Sequence, residues 1–260
     1  MQYVKGGNKV KVSVITACYN RARTIDATIE SVAGQTYGAI EHIVVDGGST
    51  DGTLELISAR RGAIAKLITG PDRGIYDALN KGVAASTGEL IGFLHSDDVY
   101  AGSDVIQTVV EEAHSRSLDA LYGDVVFVRA EDPNRVVRTY SSRRFRPSRI
   151  SWGWMPAHPS LFVSRRLFER FGAFKTDYAI AGDFEFIARI FARPSFKYGY
   201  VPKVLVKMRL GGVSTQGWRS TLKLNQEVLR ACRENGISSN YLKLFSRYPA
   251  KALEFLVPSQ

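Results

Sequence analysis

Gly88-Glu-Leu-Ile-Gly-Phe-Leu-His-Ser-Asp-Asp-Val-Tyr100 contains an apolar run, Leu90 to Leu94, that ends abruptly at His95-Ser96-Asp97-Asp98. A short uninterrupted apolar run reads as a strand buried on both faces, as in parallel sheets. Ligands of open α/β sheets lie outside the carboxyl ends of such strands, which is where the two acids fall. Adjacent carboxylates repel one another, and a hard divalent cation carrying substrate phosphates is the usual remedy. The plainer alternative is that Asp97 and Asp98 cap the helix starting near Ser103, or solvate a turn.

Outward from this stretch, the preceding residues alternate between strand and helix. Lys11-Val-Ser-Val-Ile-Thr-Ala-Cys18 is a first buried strand, ending at Tyr19-Asn20-Arg21. Thr24 or Asp26 can cap a helix running through Ala33, which Gly34 ends. Glu41 to Val45 forms a second strand, and the turn-rich loop Asp46 to Gly52 leads into a helix from Thr53 to Arg60, with Ser49 or Asp51 placed to cap it. Ala65 to Thr69 is a third strand, and Ile75 to Ala85 a third helix. Three alternations at βαβ spacing predict a doubly wound, mostly parallel sheet flanked by helices.

The pattern changes after the helix Ser103 to Arg116. Ala120 to Val128 and Val136 to Tyr140 form a hairpin around Glu131 to Asn134, followed by a basic connector, Arg138 to Arg149. His158 to Ser164 is strand-like, Arg165 to Phe171 a short helix, and Gly182-Asp183 opens an amphipathic helix to Phe191. Asp183 is placed to cap that helix. Tyr198 to Val201 and Val204 to Leu210 read as late strands, Gly211-Gly212 as a turn, and the chain is helical from Trp218.

With 260 residues, 45% hydrophobic and 23% charged, the chain has the composition of a globular protein with a full core. Its net charge of +10 points to an anionic partner. Two cysteines, Cys18 and Cys232, exclude a disulfide framework or a cysteine-rich zinc site and fit a reducing compartment. The amino terminus lacks a signal-peptide core, and no segment reaches the ~20 apolar residues of a membrane span, so the expected location is cytoplasmic, with peripheral attachment to the inner face of the plasma membrane as an extension.

Six stretches together carry a resemblance: SVITACYN (13–20), VVDGGSTDGT (44–53), GPDRGIYDALNKG (70–82), STGELIGFLHSDD (86–98), HPSLFVSRRLFERFGAF (158–174) and AGDFEF (181–186). In this order and spacing the chain resembles the family-two inverting glycosyltransferases with the GT-A fold, of the type that assembles bacterial polysaccharides and glycolipids. The resemblance implies a GT-A-like domain over 1–214 and a donor that is a nucleoside-diphosphate-sugar, UDP favoured over GDP or dTDP. It places Ala17, Tyr19 and Asp46 at the base and ribose, where an aromatic face can stack on a base and a carboxylate can accept from its N–H or from ribose hydroxyls. Asn20 and Ser96 join the donor site. Asp72, with Arg73, and Asp77, Asn80 and Lys81 on one helix face bind donor hydroxyls or phosphate, or else form a solvated Asp–Lys pair.

By the same resemblance Asp97 is a ligand of Mn2+ or Mg2+ and Asp98 its helper, with the cation bridging the donor phosphates. Asp183 is the catalytic base that takes the proton of the acceptor hydroxyl. His158 and Glu185 are weaker candidates for the acceptor side. Three positions depart from the family motifs: Gly47 where a second carboxylate is common, His95 in place of the first acid of the metal motif, and Gly182 before Asp183.

From Thr215 to Gln260 seven Lys or Arg face three Glu, interleaved with Trp218, Leu222, Leu242, Phe245, Tyr248, Phe255 and Leu256. Such a basic amphipathic helical segment suits an anionic membrane surface where lipid-linked acceptors reside, and equally a helix packed on its own domain or a dimer contact. The Arg138 to Arg149 connector meets lipid headgroups, an acidic glycan or water. Donor and acceptor specificity is expected in the loops Tyr178 to Ala181 and Arg143 to Pro156. The expected partners are thus a nucleotide-sugar, a glycan or lipid-linked acceptor and an anionic membrane, and not nucleic acid, for which no recognition motif is present. A nucleotidyltransferase, or a nucleotide-sugar-binding module without activity, are the competing readings.

Overall fold

The computed structural model describes residues 4–5, 8–129, 132, 134–210 and 217–246. A short ribbon, β1 (Val4–Lys5) and β2 (Asn8–Lys9), precedes β3 (Val12–Cys18), whose seven residues are all buried. Then follow α1 (Ile25–Ala33), β4 (Ile40–Asp46), α2 (Thr53–Ala59), β5 (Lys66–Thr69), α3 (Ile75–Ala85) and β6 (Leu90–Phe93), the last buried throughout. These strands pair in parallel, β4 on β5 and β3 on both β4 and β6. The β-branched and aliphatic residues that fill both faces of β3 and β6 are what this covered geometry requires.

The chain continues through β7 (Val99–Tyr100), α4 (Val105–Ser115), β8 (Ala120–Val128), β9 (Val136–Tyr140), β10 (Leu161–Ser164), α5 (Arg165–Phe171), α6 (Gly182–Phe191), β11 (Tyr198–Arg209), α7 (Gly217–Glu234) and α8 (Tyr241–Phe245). The main sheet runs β5-β4-β3-β6-β10-β8-β11-β7, with β9 on β8. Its second half is mixed: β10 is antiparallel to β6 and β8, while β11 is parallel to β8. The expected hairpin is the β8–β9 pair, Val125 opposite Tyr140; Glu131 of its connection lies outside the described residues.

Winding proceeds from β3 to β4 and β5 on one side, then returns to β6 on the other. The gap between the carboxyl ends of β3 and β6 is therefore the topological switch point, where doubly wound sheets bind ligands. Glu41 of β4 pins this arrangement. Its buried carboxylate accepts from Ser13 Oγ of β3 at 2.7 Å and from the Thr87 N–H, just ahead of β6, at 2.7 Å.

Two expectations need correction. His158 to Ser160 is a 3-10 turn and the strand begins only at Leu161, because Pro159 has no N–H to give a ladder and Ser160 Oγ instead donates to the Gly123 carbonyl at 2.8 Å. The two late strands are one, β11, whose register against β8 slips between Tyr200 and Val206, around Pro202. The carboxyl-terminal helix packs on its own domain: Val228, Ala231 and Cys232 of α7 are buried in the same core as α6. The Gly211-Gly212 turn and residues 247–260, with Tyr248, Phe255 and Leu256, lie outside the described residues. Among the described residues no helix is long and apolar enough to cross a membrane.

Gly92, in the middle of β6, faces Phe162 of β10. A Cβ at that position would come within 2.4 Å of the Phe162 ring, which is fully buried. Gly92→Ala should therefore destabilise the fold by about 1–3 kcal/mol through overpacking, read as a lower urea midpoint at unchanged slope; an unaltered midpoint would show that the β6–β10 contact has slack.

Candidate active site

The loops after β3 and β4 form one wall of the switch point. Asp46, at the end of β4, is buried and committed to its own loop: Oδ1 accepts from the N–H groups of Gly48 and Ser49 at 3.0 and 2.9 Å, and Oδ2 from Ser49 Oγ at 2.5 Å. Beside it, the backbone of Asn20 takes a left-handed conformation, φ 53°. Its N–H donates to Ser49 Oγ at 2.9 Å and its side-chain oxygen accepts from the Thr50 N–H at 2.9 Å, stitching the two loops together. Ala17 is buried beneath them, whereas Tyr19 is 58% exposed, its ring open to a ligand. The N-cap of α2 is Gly52 and neither Ser49 nor Asp51; Asp51, one residue earlier, still accepts from the Thr53 N–H through Oδ1 at 3.1 Å.

Gly47 leaves room for a neighbour. A Cβ there would stand 2.3 Å from Oδ2 of Asp72, so the volume a side chain at 47 would occupy is filled by a carboxylate from the β5–α3 loop. The other oxygen, Asp72 Oδ1, accepts from the Gly74 N–H at 2.9 Å. The acid missing after Asp46 in sequence is thus present in space.

On α3 the structure separates the expected face. Asp77 is bound by the Arg73 guanidinium at 3.2 Å and Lys81 at 3.3 Å, and Lys81 also donates to the Pro71 carbonyl at 2.9 Å. The Asp77 pKa is lowered by the Arg73 N–H and guanidinium and by Lys81. Asn80 does not face a donor: its amide pairs with both the N–H and the carbonyl of Phe174, at 2.9 and 2.8 Å. These contacts clip the β5–α3 loop and the residues before α6 onto one helix.

Beyond β6 the two acids diverge. Asp97 is half-buried, and among the described residues no hydrogen bond or salt bridge engages its carboxylate. Asp98 points inward and is 2% exposed, with Oδ2 lacking a partner. Burial, and then the charge of Asp97, hold its pKa well above the carboxylate range, while the Arg209 N–H and guanidinium oppose the shift. Of the two carboxylates, Asp97 is therefore the more accessible. Ser96 between His95 and Asp97 is buried.

His158 does not reach the acceptor side. It is 3% exposed, stacks on Phe93 with ring centroids 5.0 Å apart, and lies 5.7 Å from His95; burial, with the nearby His95 adding, drives its pKa down to about 3. The aromatic packing continues from His158 to Phe174 at 5.7 Å and from Phe174 to Tyr76 at 5.9 Å, joining the end of β6 to the start of α6. There Tyr76 OH donates to the Ile180 carbonyl at 2.6 Å and to Asp183 Oδ1 at 3.4 Å.

Asp183 sits in the first turn of α6, where Oδ1 accepts from the Phe184 N–H at 2.7 Å; the helix itself begins one residue earlier, with Ala181 as its N-cap. Burial raises the Asp183 pKa to about 6, against hydrogen bonds from Phe184, its own backbone and Tyr76, and the negative charge of Glu227 adds to the rise. Gly182 fits here because a Cβ would strike the Tyr76 ring at 2.7 Å. Glu185, two residues on, turns to the opposite face and is fully buried, paired with Lys175 at 3.0 Å and Arg189 at 3.0 Å, so it cannot serve an acceptor. Two participants escaped the sequence reading. Tyr76 lies inside a quoted motif, but nothing in its spacing marks it. Glu227 lies 44 residues beyond Asp183 on a helix whose composition reads only as amphipathic.

No group of three or more metal-ligating side chains comes together among the described residues. That fits a cation held by one protein carboxylate and otherwise by substrate phosphates and water, as Mg2+ commonly is. Asp97, open and unpaired at the switch point, is suited to supply that carboxylate.

The sequence model "Glycosyl transferase family 2" matches residues 13–172. A glycosyltransferase of Mycobacterium tuberculosis strain H37Rv is 35% identical over 188 residues, 68% of each chain. A PGL/p-HBAD biosynthesis glycosyltransferase of Mycobacterium bovis strain BCG is 31% identical over 208 residues, 78% of each chain. In fold, the chain is similar to residues 1–349 of S. aureus TarS in complex with UDP-GlcNAc (TM-score 0.68, 18% identity, 88% of this chain and 68% of that one). It is also similar to the Pyrobaculum calidifontis mannosyltransferase PcManGT in complex with GDP-Man and Mn2+ (TM-score 0.61, 22% identity, 96% and 76%). An acid-bearing switch point, a GT-A-like sheet and these likenesses converge: the chain is a glycosyltransferase of family 2.

Proposed function

We propose that this glycosyltransferase transfers a sugar with inversion from a nucleoside diphosphate, UDP favoured and GDP or dTDP the alternatives, to a hydroxyl of a glycan or lipid-linked acceptor in cell-surface polysaccharide or glycolipid synthesis. The observation that carries this reading is two unlike acids near the two ends of one run of rings, His95, His158, Phe174 and Tyr76: Asp97, open and unpaired two residues after His95, and Asp183, beside Tyr76 with a raised pKa at the head of α6. The glycolipid direction follows the PGL/p-HBAD biosynthesis relative, and the preference for UDP follows TarS.

In this mechanism Tyr19 stacks on the base, and Asp72 with the loop organised by Asp46 faces the nucleoside. Asp97 would hold Mn2+ or Mg2+, which when bound supplies positive charge to the donor diphosphate and to the leaving nucleoside diphosphate. Asp183 accepts the proton of the acceptor hydroxyl as its oxygen forms a bond to the anomeric carbon, from the face opposite the departing phosphate. A carboxylate with a pKa near 6 is ionised at neutral pH yet basic enough to draw that proton. Ring packing around Phe93, His158 and Phe174 closes the floor behind it to water.

Asp183→Asn should lower kcat by ~100-fold or more with little change in donor KM, measured as nucleotide released from a donor in the presence of acceptor. Wild-type kcat/KM should rise with pH through about 6 and level off above it, since the base works only when ionised; a profile flat from pH 5 to 8 would remove Asp183 from the proton transfer. Stability gives an independent reading. A carboxyl whose folded pKa is raised binds its proton more tightly in the folded state, so it contributes stability below the unfolded value of 3.8 and loses it as pH rises to about 6. The Tm of Asp183→Asn should therefore match wild type near pH 4 and exceed it above pH 6.

A further inference from the structure

The residues just ahead of α6 present three backbone N–H groups in succession. They lie at and ahead of the N-cap, Ala181, outside the helix's own hydrogen-bond ladder, and need an acceptor from elsewhere. The acceptor comes from another helix: Glu227 Oε1 of α7 accepts from the Ala179 N–H at 2.9 Å, and Oε2 from those of Ile180 and Ala181 at 2.9 and 2.8 Å. Glu227 is 4% exposed, and Lys223 of the same helix stands 3.5 Å from it.

The grip extends along one face of α7. Arg230 lies over the Tyr178 ring at 4.4 Å and pairs with Asp177. Glu234 accepts from Tyr178 OH at 2.9 Å and pairs with Lys175 at 2.8 Å. Positions 227, 230 and 234 repeat at helical spacing, so a single stripe of α7 holds residues 175 to 181. From the opposite side, Tyr76 of α3 donates to the Ile180 carbonyl and crowds Gly182.

We propose that Glu227 is the positioning residue for Asp183, fixing the 179–181 turn against Tyr76 so that the base carboxylate is aimed into the cleft. The proposal rests on Asp183 being the base. It assigns α7, which lies beyond the residues matched by the family model, a part in the reaction. The groups that face Asp183 are Tyr76 from α3 and Glu227 from α7, and the negative charge of Glu227 favours the protonated form of Asp183 while its hydrogen bonds hold the turn. One side chain thus holds the turn that carries the base and adds to the rise that burial gives its pKa.

Two variants test this. Glu227→Ala, which leaves three N–H groups without an acceptor, should lower kcat by ~100-fold while the calorimetric Kd for UDP with Mn2+ stays within about twofold, since a misplaced base costs rate and not donor affinity. Glu227→Gln keeps an amide oxygen for the turn but loses the charge. It should retain more kcat than Glu227→Ala, and its acidic limb should move to lower pH than in wild type. A purely structural cap would leave the acidic limb where it is in Glu227→Gln, and that result, or a folded Glu227→Ala with wild-type kcat, overturns the proposal. Asp183→Asn is measured alongside. If it keeps full activity, the assignment of the base fails on its own account; if it is inactive while both Glu227 variants match wild type, only the positioning role fails.

Discussion

Parallel pairing of β3 with β6 is the constraint on which the rest depends. Both strands are buried on both faces, so the winding that reaches β5 on one side must return across β3 to place β6 on the other. That return opens a crevice at the carboxyl ends of the two strands and delivers Tyr19 and Asp97 to its two lips. The register is protected by close contacts that tolerate no larger residue, with Gly92 under the Phe162 ring and Glu41 tying β3, β4 and the approach to β6 together.

Along the sheet and at this crevice the charged groups divide by what they are bonded to. Asp46, Asp77, Glu41, Glu185 and Glu227 are held by backbone N–H groups, hydroxyls or cations and shape loops. Asp97 is left open, and Asp183 is crowded into an environment that resists its ionisation. Leaving one acid unpaired and another desolvated costs stability, and such costs are concentrated where chemistry is done. Two of the three departures from the family motifs have a steric reason. Gly47 makes space for Asp72, and Gly182 makes space for the Tyr76 ring, so each missing side chain is matched by a neighbour occupying its volume.

Local patterns in the sequence were sufficient for the fold and for where the candidate acids fall along it. The apolar run of β6, the βαβ spacing and the β8–β9 hairpin lie in contiguous residues, and each formed at the expected place. The place of Asp97 at the carboxyl end of β6 could be read, but its exposure could not, since Asp46 at the end of β4 and Asp98 beside it are both buried. Burial of Asp98, His158 and Glu185 could not be read, because it depends on which side of a turn or helix meets the aromatic cluster. The pairing of Asn80 with Phe174 and of Glu227 with residues 179 to 181 joins segments 94 and 46 to 48 positions apart, with no periodicity to announce it. The basic amphipathic look of α7 was equally ambiguous, since its charged stripe grips a loop and its apolar stripe enters the core.

The most direct test of the account is calorimetric titration of UDP, with and without Mn2+, into wild type and Asp97→Asn. Coordination of the diphosphate through Asp97 predicts that Mn2+ strengthens binding to wild type, and that the substitution removes most of this gain, at least ~10-fold in Kd, about 1.4 kcal/mol. Equal binding by the two proteins, with no response to Mn2+ in either, would contradict the assignment of Asp97 and with it the central reading of the switch point.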